Sequence, residues 1–112
     1  MTRYLISFDD GAMTFPQEEL PEVAAASHEV VRKAQDAGVW VFGGGLERRQ
    51  ASVVATDGTV TNGPYPETKA VLGGFSIIDV PSREDALEWA AKIAAACRCA
   101  QEVREIMPDS TV

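Results

Sequence analysis

The chain has 112 residues, 46% hydrophobic and 24% charged, with a formal net charge of −7. That length suits one domain built around one core. The acidic balance excludes a phosphate-backbone partner, because binding DNA or RNA needs a basic face and the nearest approach to one here is Arg48-Arg49.

The first strand is read over residues 4–9, aromatic and branched, and ends at Asp10-Gly11. Its apolar run is too short for a secretory core or a membrane span. A cytoplasmic protein with no membrane partner is the expectation. A polar loop with Pro16 and Pro21 follows, then a helix over 21–36, with Pro21 in its first turn and Gly38 as a left-handed cap. Its inner stripe is Leu20, Val23, Ala24, Ser27, Val30, Val31 and Ala34. The second strand starts at 39–42 and runs into Gly43-Gly44-Gly45. The third spans 51–56, and Asp57-Gly58 turns it back into 59–61 as a small hairpin.

A long strand is expected over 74–80, and Ser82 caps a second helix that turns Ala86, Ala90, Ile93, Ala94 and Cys97 inward. A last strand is read over 101–107. Residues 1–107 form a single domain and 108–112 a flexible tail. Cys97 and Cys99 stand one residue apart, so a bridge would close a strained ring, and no histidine lies near them to build a metal site. Free thiols and no metal are expected.

Two strand–helix–strand halves with an extra hairpin read as an α+β fold: a ferredoxin-like βαββαβ sandwich with both helices on one side of the sheet. Strand neighbours point to opposite faces. In the second strand Val39 and Val41 oppose Trp40 and Phe42; in the long strand Phe75 and Ile77 oppose Ile78 and Val80. Both sheet faces are therefore apolar, and two helices cover only one. A second copy packed sheet to sheet is the simplest cover, so a homodimer is expected, with a small-molecule cavity at the sheet interface or its edge.

The segment 61–75, TNGPYPETKAVLGGF, is the densest motif in the chain. Asn62-Gly63 is a turn pair, and Pro64 and Pro66 stiffen the loop beyond it. Glu67 and Lys69 either pair with the other subunit or line a pocket. Gly73-Gly74 lets the loop enter the sheet. This segment resembles the signature of the DGPF branch of the YCII-related superfamily, roughly TDGPFxExKExLGGF, with Asn62 where the pattern has Asp and Tyr65 where it has Phe. Loss of that carboxylate weakens an acid role at position 62 and leaves its turn role intact.

The chain has one histidine, His28, beside the apolar stripe of the first helix. By pattern it is either a packed helix residue or a general acid/base, since histidine titrates near neutral pH. The resemblance implies a His/Asp site, with His28 moving a proton and Asp10 (or Asp9) orienting the ring. It also implies an enzyme of proton-transfer or lyase type, because the wider superfamily looks to include a dehydrochlorinase acting on a chlorinated hydroxyquinol; with no metal or nucleotide motif in the sequence, a cofactor-free mechanism is expected. The alternative is a non-catalytic binding module for a small molecule or a protein, since DGPF-branch proteins resemble accessory partners of extracytoplasmic-type sigma factors. Phe8, Trp40, Phe42, Gly44, Gly63, Pro64, Tyr65, Glu67, Lys69 and Phe75 are the expected binding residues. Gly43-Gly44-Gly45 is no phosphate loop, because no Lys-Ser/Thr follows and the next element is a strand rather than a helix; it marks a bulge or a close approach of chain or ligand.

Overall fold

A computed structural model describes residues 1–47, 51–63 and 72–111. Its elements run β1 (Thr2–Asp9), a short 3-10 turn (Gln17–Glu19), α1 (Leu20–Asp36), β2 (Trp40–Gly45), β3 (Ser52–Val54), β4 (Val60–Asn62), β5 (Leu72–Val80), α2 (Arg83–Cys97) and β6 (Glu102–Glu105). The fold is mixed α+β, with a four-stranded antiparallel sheet ordered β2-β5-β1-β6 and a separate β3-β4 hairpin.

Register decides what faces what. Tyr4 pairs with Ile78, Ile6 with Ser76 and Phe8 with Gly74, while Leu5 pairs with Ile77 and Ser7 with Phe75. Directly opposed residues share a face. The first set points toward the helices: Tyr4, Ile6, Ile78 and Val80 are buried against Ala86, Ala90 and Ile93 of α2, with Val30 of α1 packed on the same cluster. Both helices therefore cover one face. Among the described residues no helix or strand packs on the other.

The helices end as their sequences dictate. Pro21 sits in the first turn of α1, where its missing N–H costs nothing. Gly38, at φ 75°, takes the left-handed position just past the helix. Ser82 accepts the Asp85 N–H at 3.2 Å and so starts α2. Arg98 ends α2 at φ 57° and reaches back across to α1, with Nη1 2.6 Å from Glu19 Oε1 and Nη2 3.8 Å from Glu22 Oε2. Leu20, expected on the inner stripe, is exposed at the first position of α1, and the buried stripe begins a turn later at Val23.

Strand alternation fails in β2. Trp40 pairs with Ile78 and Phe42 with Ile77, with an irregularity between them. One extra residue at a bulge inverts the facing of everything beyond it. Trp40 consequently packs against the helix-side core, while Phe42 lies on the open face, 61% exposed, with its ring centroid 5.9 Å from that of Phe75. Sequence reasoning placed Trp40 and Phe42 on the same face; the bulge separates them. The open face is still apolar, carrying Leu5, Val41, Phe42, Phe75 and Ile77.

The hairpin stands off the body. Asp57 Oδ1 accepts the Thr59 N–H at 2.9 Å and shapes its turn. Val54 and Val60, paired across it, are 64% and 60% exposed.

Candidate functional site

A cavity of about 400 Å³ opens at one end of the sandwich, between the helices and the sheet. Phe8 lies near the end of β1, Gly43 to Gly45 at the end of β2, and Phe75 and Ser76 near the start of β5; all contribute to its wall. The middle of α1 adds Ser27, His28, Val30 and Val31, and the last turns of α2 add Ile93, Ala96 and Cys97. It lies on the helix side of the sheet, within a single chain, and is distinct from the cavity expected at the sheet interface or edge of two paired copies.

Close packing shapes this end. A Cβ on Gly43 would lie 2.6 Å from Phe75 O and 2.9 Å from the Trp40 ring. Only hydrogen fits there, so β2 and the indole press together and leave the space beside them open. The Ser27 hydroxyl and the Cys97 thiol are hydrogen-bonded at 3.4 Å, joining α1 to α2. Gln101 Nε2 donates to Cys99 O at 3.4 Å and to Cys99 Sγ at 3.5 Å. Burial pushes the Cys99 thiol above its ordinary range and neighbouring Cys97 adds to this, while the Gln101 amide opposes it. Both cysteines are free thiols.

The residues expected to form the site divide. Phe8, His28, Trp40 and Gly44 line the cavity, and Phe75 borders it although its register with Ser7 and its ring contact with Phe42 put it on the open face. Phe42 does not, because the bulge turns it to the other face. Gly63 adopts φ 93°, which fits its turn role, and is not part of the lining. Asp10 is exposed at the end of β1 and packs beside Gly73: a Cβ on Gly73 would meet its Cα at 2.9 Å. It stands at the cavity end of the sheet without lining the cavity. Asp9, the second choice, is exposed next to it. Pro64, Tyr65, Glu67 and Lys69 fall outside the described residues.

Sequence reasoning did not assign Met13, Ser27, Ser76, Ala96, Cys97 or Gln101 to the site. A signal existed for two of them. Ser27 and Cys97 are the polar or polarisable members of otherwise apolar inner stripes, and such positions mark a hydrogen bond or a hole.

A second hollow of about 410 Å³ lies near the chain's first residues, where Arg3, Val41, Ile77 and Asp79 meet Ile106 and Met107. Asp79 Oδ1 is buried there with no hydrogen-bond partner, and its other oxygen is 4.0 Å from Arg3 Nε. None of the expected site residues reaches this hollow. Among the described residues no cluster of His, Cys, Asp and Glu could hold a metal ion, and no helix is long and apolar enough to cross a membrane.

A family model described as the YCII-related domain matches residues 2–109, nearly the whole chain. No curated protein matches the chain.

Proposed function

Because the chain belongs to the YCII-related domain family, we propose that it is a small-molecule protein of that family's DGPF branch, with a ferredoxin-like sandwich, working as a cytoplasmic homodimer. Its chemistry is proton transfer or a lyase-type elimination on an organic substrate held in the helix-side cavity. His28 acts as the acid/base and Asp10 orients the ring. One observation carries this reading: the chain's only histidine lines the same largely apolar cavity as Phe8 and Trp40. His28 is itself exposed, so its ring can exchange a proton with water while the apolar wall beside it holds the substrate. Asp10 at the same end of the sheet, where β5 receives the motif segment, supports the assignment.

The open sheet face supports the homodimer. Phe42 is 61% exposed on it and Val41 37%, an apolar area of the kind that a second copy would cover.

The test is a screen of small organic compounds, read by NMR of the His28 ring and by product formation. Binding should shift the ring signals, and His28→Ala should abolish turnover while leaving the fold intact. Asp10→Asn should lower turnover more than Asp9→Asn. A compound turned over equally well by His28→Ala would refute the assignment. A second reading, a binding module without catalysis, is favoured by the position of Asp10 outside the cavity lining. It predicts compounds that bind and shift the ring but emerge unchanged.

A further inference from the structure

The walls of the cavity say what kind of molecule enters it, a step that rests on reading the cavity as a ligand site. Its floor and sides are largely apolar: Phe8, Met13, Val31, Trp40 and Ile93, while Gly43 to Gly45 contribute strand backbone, registered against Ser76, Phe75 and Gly74 of β5. Among the described residues no Asp, Glu, Lys or Arg lines it. An ion moved from water into such a place loses its hydration and gains no counter-charge, which costs far more than an apolar wall returns. Hydrogen-bonding capacity is confined to a few side chains. Ser27, His28 and Gln101 supply it at the side where α1 meets the end of α2, and Ser76 adds to it from β5.

Size narrows the class further. At the packing density of a filled site, about 400 Å³ accommodates a ligand of roughly 200–300 Å³, one or two rings with small substituents. The protein's own net charge of −7 adds long-range repulsion for any anion. We infer that the cavity takes a neutral, predominantly apolar small molecule with a single hydrogen-bonding end, and that it rejects phosphates, carboxylates and ammonium compounds.

The experiment uses the full chain and a neutral fluorescent probe, N-phenyl-1-naphthylamine, whose emission rises in apolar surroundings. Three competitors with one ring system and three charges then displace it at pH 7: 1-naphthol, 1-naphthoate and 1-naphthylmethylammonium. The expected result is saturable probe binding, with 1-naphthol displacing it at concentrations about tenfold or more below either ion. Ala96→Phe and Val31→Phe, each of which fills the cavity from a different helix, should both abolish probe binding. Either ion competing as well as 1-naphthol would overturn the inference. So would probe binding that survives in a folded cavity-filling variant, because the probe would then sit elsewhere. Product analysis separates this inference from the catalytic reading: neutral compounds that bind in this order of charges and emerge unchanged support the ligand class and refute only the catalysis, whereas turnover of a charged compound in preference to its neutral counterpart overturns the ligand class.

Discussion

Phe8 and Gly74 are register partners on β1 and β5, and the Phe8 ring occupies the place where a side chain on Gly74 would stand. A Cβ at Gly74 would lie 2.6 Å from Phe8 Cζ and 3.2 Å from Gly44 O. The strand backbone on one side cannot retreat, so the ring must move, and the same ring lines the cavity. Gly74→Ala should therefore destabilise the fold by about 1–3 kcal/mol, the usual cost of overpacking, and also weaken probe binding. Urea denaturation followed by tryptophan fluorescence measures the first effect. An unchanged midpoint would show that Phe8 has somewhere else to go.

This pair also shows what could be read from residues alone. Regular elements were legible. In β1 Tyr4, Ile6 and Phe8 fall on the helix side as period-two spacing requires. The end of α1 at Asp36 and the Ser82 start of α2 follow from local chemistry. The bulge in β2 was not legible, because nothing in Trp40-Val41-Phe42 marks an extra residue; it exists to let β2 follow β5. That single irregularity sent Phe42 out of the site. His28 at the cavity was readable as one of two alternatives. The cavity itself arises where several elements stop short of one another, and a sequence does not display the space between elements.

Cys99 offers a chemical check on the end of α2. Burial holds its thiol above the ordinary range, so the reactive thiolate is scarcer than in an exposed cysteine at the same pH. Iodoacetamide labelling resolved by peptide mass spectrometry should show Cys99 reacting more slowly than a free thiol at pH 8.5, with its rate still climbing at higher pH. Stability follows the same sign. The folded state holds this proton more tightly than the unfolded chain, so its contribution is intact below the ordinary thiol pKa and is lost as pH rises through the raised value. Cys99→Ala should flatten that alkaline loss. Labelling of Cys99 as fast as an exposed thiol would contradict its burial.

Asp57 sets the hairpin turn with the opposite sign. The Thr59 N–H bonds to its carboxylate at 2.9 Å and holds its pKa below the ordinary carboxylate range. The folded hairpin favours the ionised form. The contribution is therefore present above the usual carboxylate pKa and disappears as pH falls through the lowered one. The Thr59 amide proton should lose its hydrogen-bonded chemical shift over that acid range, and Asp57→Ala should show the low-pH shift already at neutral pH. A Thr59 amide that ignores pH would mean that the turn is held by its backbone bonds alone.

Phe42 decides whether the open face is covered. It contributes little to its own subunit's core, being 61% exposed and in ring contact only with Phe75 among the described residues. Phe42→Asp should therefore leave the unfolding midpoint of a dilute, dissociated sample nearly unchanged. In a sheet-to-sheet dimer the same change buries a carboxylate against the apolar face of the partner, an uncompensated charge that costs several kcal/mol and weakens association on the order of a hundredfold or more. Sedimentation velocity at micromolar concentrations should show the native chain as a dimer and Phe42→Asp as a monomer. Val54→Asp on the hairpin serves as the control for a merely exposed valine. Were it to dissociate the dimer while Phe42→Asp did not, the hairpin rather than the sheet face would be what joins the two copies.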